Sequence, residues 1–140
     1  MAFKIMLDAN IILDLTLKRE DYKTAKEVIS LAINGTVNAF ITPSILHICG
    51  YWLTKAYGHP KAKEILLSLL ADIRCVDIPH EMTIASLHSS IKDIEDALQY
   101  YTALHHKMDY FISHDRRIYK EAAPVLPAYS PEEFLNIIAR

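Results

Sequence analysis

The chain has 140 residues, enough for one domain with a substantial core. Hydrophobic residues make up 51% and charged ones 23%, an ordinary folded composition with no disordered tail, and no apolar run is long enough to span a membrane. The formal net charge of −2 argues against a protein that holds nucleic acid by bulk electrostatics, while leaving room for a local basic patch.

Phe3 to Leu7 is a short apolar run ended by Asp8, the pattern of a buried strand. Asp8 and Asp14 interrupt the N-terminal apolar stretch and no small-residue cleavage site follows, so the expectation is a cytoplasmic protein without an export signal. Asn10 to Leu17 reads as helical. Asp21 can cap a longer helix from Tyr22 to about Ile33, where Asn34-Gly35 stops it. Ala39 to Ile41 reads as a second strand. Thr42-Pro43 then supplies a cap and a first-position proline for a helix through His47 and Trp52 to Tyr57. Gly58-His59-Pro60 breaks that helix, and another runs to about Leu70.

Ile73 to Val76 is a third short strand, with a helix after Pro79. Asp93 can cap a helix that carries Asp96 and ends near His105 or Lys107. Tyr110 to Ser113 is a fourth strand, ended by Asp115. Ser130-Pro131-Glu132-Glu133 is a capping-box sequence for a final helix. Strands alternating with helices predict an α/β fold: one domain over residues 1–140, a central parallel sheet of four to five short strands flanked by helices. Cys49 and Cys75 lie inside apolar runs without metal-ligand spacing and are expected to be buried, reduced thiols.

Three acids stand at element ends. Asp8 and Asp115 follow strands, and Asp96 falls in the first turn of a helix. In an open α/β sheet, residues just past the carboxyl ends of the strands face one crevice, so these acids can meet there. Gathered carboxylates repel one another, and a divalent cation relieves the repulsion. The residues therefore point to a metal-dependent enzyme acting on phosphate esters. Taken singly, each acid is equally a helix cap or a turn residue, and for Asp93 the capping role is the preferred reading.

Leu7-Asp8-Ala9-Asn10-Ile11-Ile12-Leu13-Asp14 resembles the opening motif of the PIN-domain ribonucleases, and Asp93-Ile94-Glu95-Asp96-Ala97-Leu98-Gln99-Tyr100 resembles their central motif. Ile112-Ser113-His114-Asp115 is similar to their late motif, and Pro127 to Leu135 to their closing strand and helix. The resemblance covers essentially the whole chain. It implies an endoribonuclease that uses Mg2+ or Mn2+ to cut single-stranded RNA, like the VapC toxins of toxin–antitoxin modules, homodimeric and held in check by an antitoxin protein. Asp8, Asp96 and Asp115 would be its catalytic, metal-holding acids, with Asn10 and Ser113 as polar supports.

The family carries a further acid in the helix after the second strand, and the matching stretch here offers His47. Imidazole there removes a negative charge and suits magnesium poorly. A weakened, RNA-binding or protein-interaction module is therefore the alternative reading. Asp14, one helical turn beyond Asn10, is a candidate to compensate. Glu95, roughly 100° around the helix from Asp96, is expected to play a supporting or structural part. Arg116 and Arg117 are the candidates for gripping a substrate phosphate, with Lys120, Lys55, Lys61 and Lys63 as further basic residues. Tyr51, Trp52, Tyr57, Tyr100 and Tyr101 either stack on bases or pack in the core or a dimer contact. An aspartyl-phosphate phosphatase is a third reading, weakened by Asn10 standing where such enzymes want a second Asp.

Overall fold

A computed structural model describes residues 2–139. Its elements run β1 (Phe3–Leu7), α1 (Ala9–Thr16), α2 (Tyr22–Ile33), β2 (Val37–Ile41), α3 (Pro43–Tyr57), α4 (His59–Leu70), β3 (Ile73–Cys75), α5 (His80–Leu87), α6 (Ile94–His105), β4 (Tyr110–Ile112), α7 (Arg116–Glu121), β5 (Ala128–Tyr129) and α8 (Pro131–Ile138). All strand pairs are parallel, in the order β3-β2-β1-β4-β5. The chain thus builds outward from β1 to β2 and β3, then crosses back to lay β4 and β5 on the other side. That reversal makes the carboxyl ends of β1 and β4 the switch point of the sheet.

Apolar residues explain why β1 lies at the centre: Ile5, Met6 and Leu7 are fully buried, as are Phe111 and Ile112 of the neighbouring β4. Helix α3 contributes Ile45, Cys49 and Leu53, a stripe at four-residue spacing with no exposure. Thr42 caps α3, its hydroxyl oxygen accepting from the Ile45 N–H at 3.1 Å, and Pro43 occupies the first turn as expected. Gly58, at φ +85°, takes the left-handed conformation that ends α3 and starts α4. The capping box of α8 forms in both directions: Ser130 Oγ accepts from the Glu133 N–H, and the Ser130 N–H donates to Glu133. No described helix is long and apolar enough to cross a membrane.

Several boundaries differ from the sequence reading. Strand β2 begins at Val37, because Val37 and Asn38 pair with Phe3 and Lys4. Strand β3 ends at Cys75, although the Val76 N–H still reaches the Ile41 carbonyl at 2.9 Å. Helix α7 was not anticipated. Its six residues, mostly charged, are too few to show a helical period, and its signal is the Asp115 cap. Cys75 is exposed, since β3 is an edge strand; Cys49 is buried, and burial pushes its thiol up to about 12.

The buried Tyr100 ties α6 to the segment ahead of β5. Its hydroxyl donates to the Leu126 carbonyl and accepts from the Ala123 N–H, both at 2.7 Å. Tyr100→Phe leaves both groups short of a partner and should cost about 1–3 kcal/mol in urea denaturation. A midpoint unchanged from wild type would show that these bonds do not hold the segment.

Candidate active site

Leu7 of β1 lies opposite Ile112 of β4, so the next residues, Asp8 and Ser113, leave the sheet side by side. The Asp8 N–H donates to the Ile112 carbonyl at 3.0 Å, continuing the ladder by one bond. Asp8 then caps α1, its Oδ1 accepting from the Ala9 N–H at 2.7 Å. Ser113, fully buried, donates its hydroxyl to Asp8 Oδ2 at 2.8 Å and accepts from the Asp115 N–H at 3.0 Å. One hydroxyl thereby fixes two acids that are far apart in the sequence.

Asp115 caps α7 and is clasped by Arg117, with Nε on Oδ1 at 3.0 Å and Nη2 on Oδ2 at 2.9 Å. The Arg117 guanidinium lowers the Asp115 carboxyl to about 2. Asp96 is buried in the first turn of α6, where Asp93 caps the helix by accepting the Asp96 N–H at 2.9 Å. Burial, and next a hydrogen bond to Asp115, push Asp96 up to about 8. Asp8 is raised as well, because the cost of its burial outweighs the bonds from Ser113 and Ala9.

These residues border a cleft of about 300 Å³. Five acids line it, Asp8, Asp93, Glu95, Asp96 and Asp115, against two arginines, Arg19 and Arg117. Helix α3 supplies Ile48 and Trp52. The structure thus gathers the three predicted acids, with Ser113 between two of them. Asn10 is at the rim, where its side-chain oxygen accepts from Arg19 at 3.2 Å; the acids are oriented by Ser113 and by backbone N–H groups.

Other predicted residues lie elsewhere. His47 is exposed and lines a separate groove between α3 and α4 with Tyr51, Lys55, His59 and Lys63. The α3 stripe Ile45-Cys49-Leu53 explains this: Ile48 and Trp52 flank that stripe on the cleft side, and His47 lies a further ~100° around. Asp14 is buried, but His114 takes it, Nε2 to Oδ2 at 2.8 Å, with Asp21 4.0 Å away. Among the described residues, Asp14, Asp21 and His114 are the one trio of His, Cys and acidic side chains whose ligand atoms all lie within 4.8 Å. Arg116 and Lys120 line an adjoining cavity of about 280 Å³ that shares Asp93, Asp96 and Arg117 with the cleft. Lys61 faces Glu64 at 3.5 Å.

Sequence reasoning passed over Arg19, which nothing marked, and gave Glu95 only a supporting or structural part. Glu95 reaches the cleft because the cleft meets the N-terminal end of α6, where Asp93, Glu95 and Asp96 all border it. The cleft donors are carboxylate oxygens, without sulfur or imidazole, which suits Mg2+ or Mn2+. Among the described residues, no three of these carboxylates offer ligand atoms that all lie within 4.8 Å of one another.

A family model described as PIN domain matches residues 4–117. The chain belongs to the PIN domain family. Solved PIN-fold structures agree. The VapBC2 structure from Rickettsia felis, bound to a DNA fragment from its promoter, matches at a TM-score of 0.67 and 17% identity, over 91% of this chain and 98% of that one. A toxin–antitoxin complex from Klebsiella pneumoniae matches at 0.67 and 18%, over 91% and 97%. Mycobacterium tuberculosis VapC20, a sarcin-ricin loop cleaving toxin, matches at 0.61 and 14%, over 76% and 86%. No curated protein matches significantly. At these identities the likeness is one of fold: this is a PIN domain of VapC-like architecture.

The raised Asp96 gives this PIN domain a pH-dependent stability. The folded chain keeps the Asp96 proton up to about 8, whereas the side chain ordinarily loses it near 3.8. Between those values the folded state binds the extra proton, so metal-free stability falls as pH rises from about 4 to 8 and levels off above. Asp8 is raised too, so Asp96→Asn should weaken this dependence without abolishing it, and should stabilise the protein at pH 8 by about 1 kcal/mol or more. Thermal denaturation in EDTA at pH 5 and pH 8 checks it; a variant no more stable than wild type at pH 8 would contradict the assignment.

Proposed function

We propose that this PIN domain is a divalent-metal-dependent endoribonuclease that hydrolyses phosphodiester bonds of single-stranded RNA. It would act as a toxin-like nuclease in the cytoplasm, as a homodimer restrained by an antitoxin protein. The observation that carries the reading is the pair of buried carboxylates, Asp8 and Asp96, both raised by burial, in a cleft whose acids outnumber its arginines. The toxin–antitoxin structures that share its fold support the partner, and the loop-cleaving VapC20 supports RNA as the substrate.

Asp8, Asp96 and Asp115 border the place where Mg2+ or Mn2+ would be held. The bound cation would lower the pKa of a water and offset charge on the phosphate, favouring in-line hydrolysis. Ser113 keeps Asp8 turned into the cleft. Arg19 and Arg117 supply positive charge for the phosphate, and Arg117 does so while holding Asp115. Trp52, 44% exposed at the cleft wall, offers a face on which a base can stack.

A second reading, a PIN domain that binds RNA or a protein but cuts little, is favoured by one observation: the α3 residues on the cleft are Ile48 and Trp52, with no acid. Purified protein incubated with single-stranded RNA and Mn2+ or Mg2+ separates the two. The nuclease reading expects cleavage that EDTA abolishes and that Asp8→Asn reduces to the metal-free level. RNA bound but left intact with either metal would support the second reading, and cleavage undiminished in Asp8→Asn would remove Asp8 from the site.

A further inference from the structure

The cleft acids differ in which of their oxygens remain free. Asp115 has both oxygens engaged by Arg117. Asp93 gives Oδ1 to the cap of α6 and is exposed. Asp8 accepts one hydrogen bond on each oxygen, which leaves a lone pair on each. Glu95 is the odd member: among the described contacts its carboxylate has no hydrogen bond and no ion pair, yet it is only partly exposed. It lines the cleft together with the apolar side chains Ile48 and Trp52 of α3. A half-buried carboxylate set among other acids and against an apolar wall is destabilising unless a cation shares it.

We infer that Glu95 is a direct ligand of the cleft's divalent cation, supplying with Asp8 and Asp96 the carboxylate set on the α3 side, where α3 itself presents only Ile48 and Trp52. This rests on the metal-dependent reading of the cleft and extends it to a residue next to the motif acid. In this arrangement Asp115, neutralised by Arg117, positions the other groups through Ser113 and its contact with Asp96.

Mn2+ titration tests the assignment without reference to activity. Free Mn2+ is read from its electron paramagnetic resonance signal, and bound-water number from proton relaxation, in wild type, Glu95→Gln, Glu95→Asp and Asp93→Asn. Asp93→Asn is the charge control, because asparagine also caps a helix while one negative charge leaves the cleft. Glu95→Gln should raise the Mn2+ Kd at least about tenfold and increase the relaxation enhancement as water replaces the carboxylate. Glu95→Asp should recover part of the affinity, and Asp93→Asn should change it less than about threefold. Equal weakening by Glu95→Gln and Asp93→Asn, or none by Glu95→Gln, would overturn the ligand role while leaving the metal site standing. Wild type that binds no Mn2+ would instead overturn the metal-dependent reading itself, and the inference with it.

Discussion

The parallel register of β1 on β4 sets Leu7 opposite Ile112, so Asp8 and Ser113 emerge together at the switch point of the sheet. The Ser113 hydroxyl then donates to Asp8 and accepts from the Asp115 backbone, turning a strand register into a fixed spacing between two acids. Because side chains alternate faces along a strand, a slip of one residue would send Asp8 to the opposite side and dissolve the cleft. The buried apolar residues of both strands hold that register, since Ile5, Met6, Leu7, Phe111 and Ile112 fill the core on both faces of the sheet and a slip would move each out of its packing place. Core packing and site geometry are therefore one constraint.

The same acids serve the helices. Asp8, Asp93 and Asp115 are the caps of α1, α6 and α7, so three helix N-termini border one cleft. Each cap satisfies a backbone N–H that would otherwise lack a partner, and the positive end of each helix partly offsets the negative charge gathered there. Such offsets are modest beside the cost of burying carboxylates, which is why Asp8 and Asp96 remain raised. The arrangement trades stability for a concentrated negative field, as functional sites commonly do.

Much of this was legible in the sequence. Alternating apolar runs and capped helices led to a parallel α/β sheet, and two strand ends and one helix start led to the three acids that the fold brings together. What escaped was set by angles and partners. His47 and Ile48 differ by one step around α3, and only the stripe Ile45-Cys49-Leu53 decides which flank meets the cleft. Glu95 was judged by its angle from Asp96 as though the site lay beside the helix; the site lies at the helix end, where that angle separates little. Asp14 is held by His114, a partner a hundred positions away that no local pattern announces. Helix α7 is too short and too charged to show a period.

The central claim is that the paired carboxylates at the ends of β1 and α6 form a divalent-cation site. Anomalous diffraction from a crystal of the wild-type chain soaked in Mn2+ locates the ion directly. The account predicts a strong peak within coordination distance of Asp8 and Asp96. A peak at Asp14, Asp21 and His114 instead, or no peak in the cleft at saturating Mn2+, would contradict it.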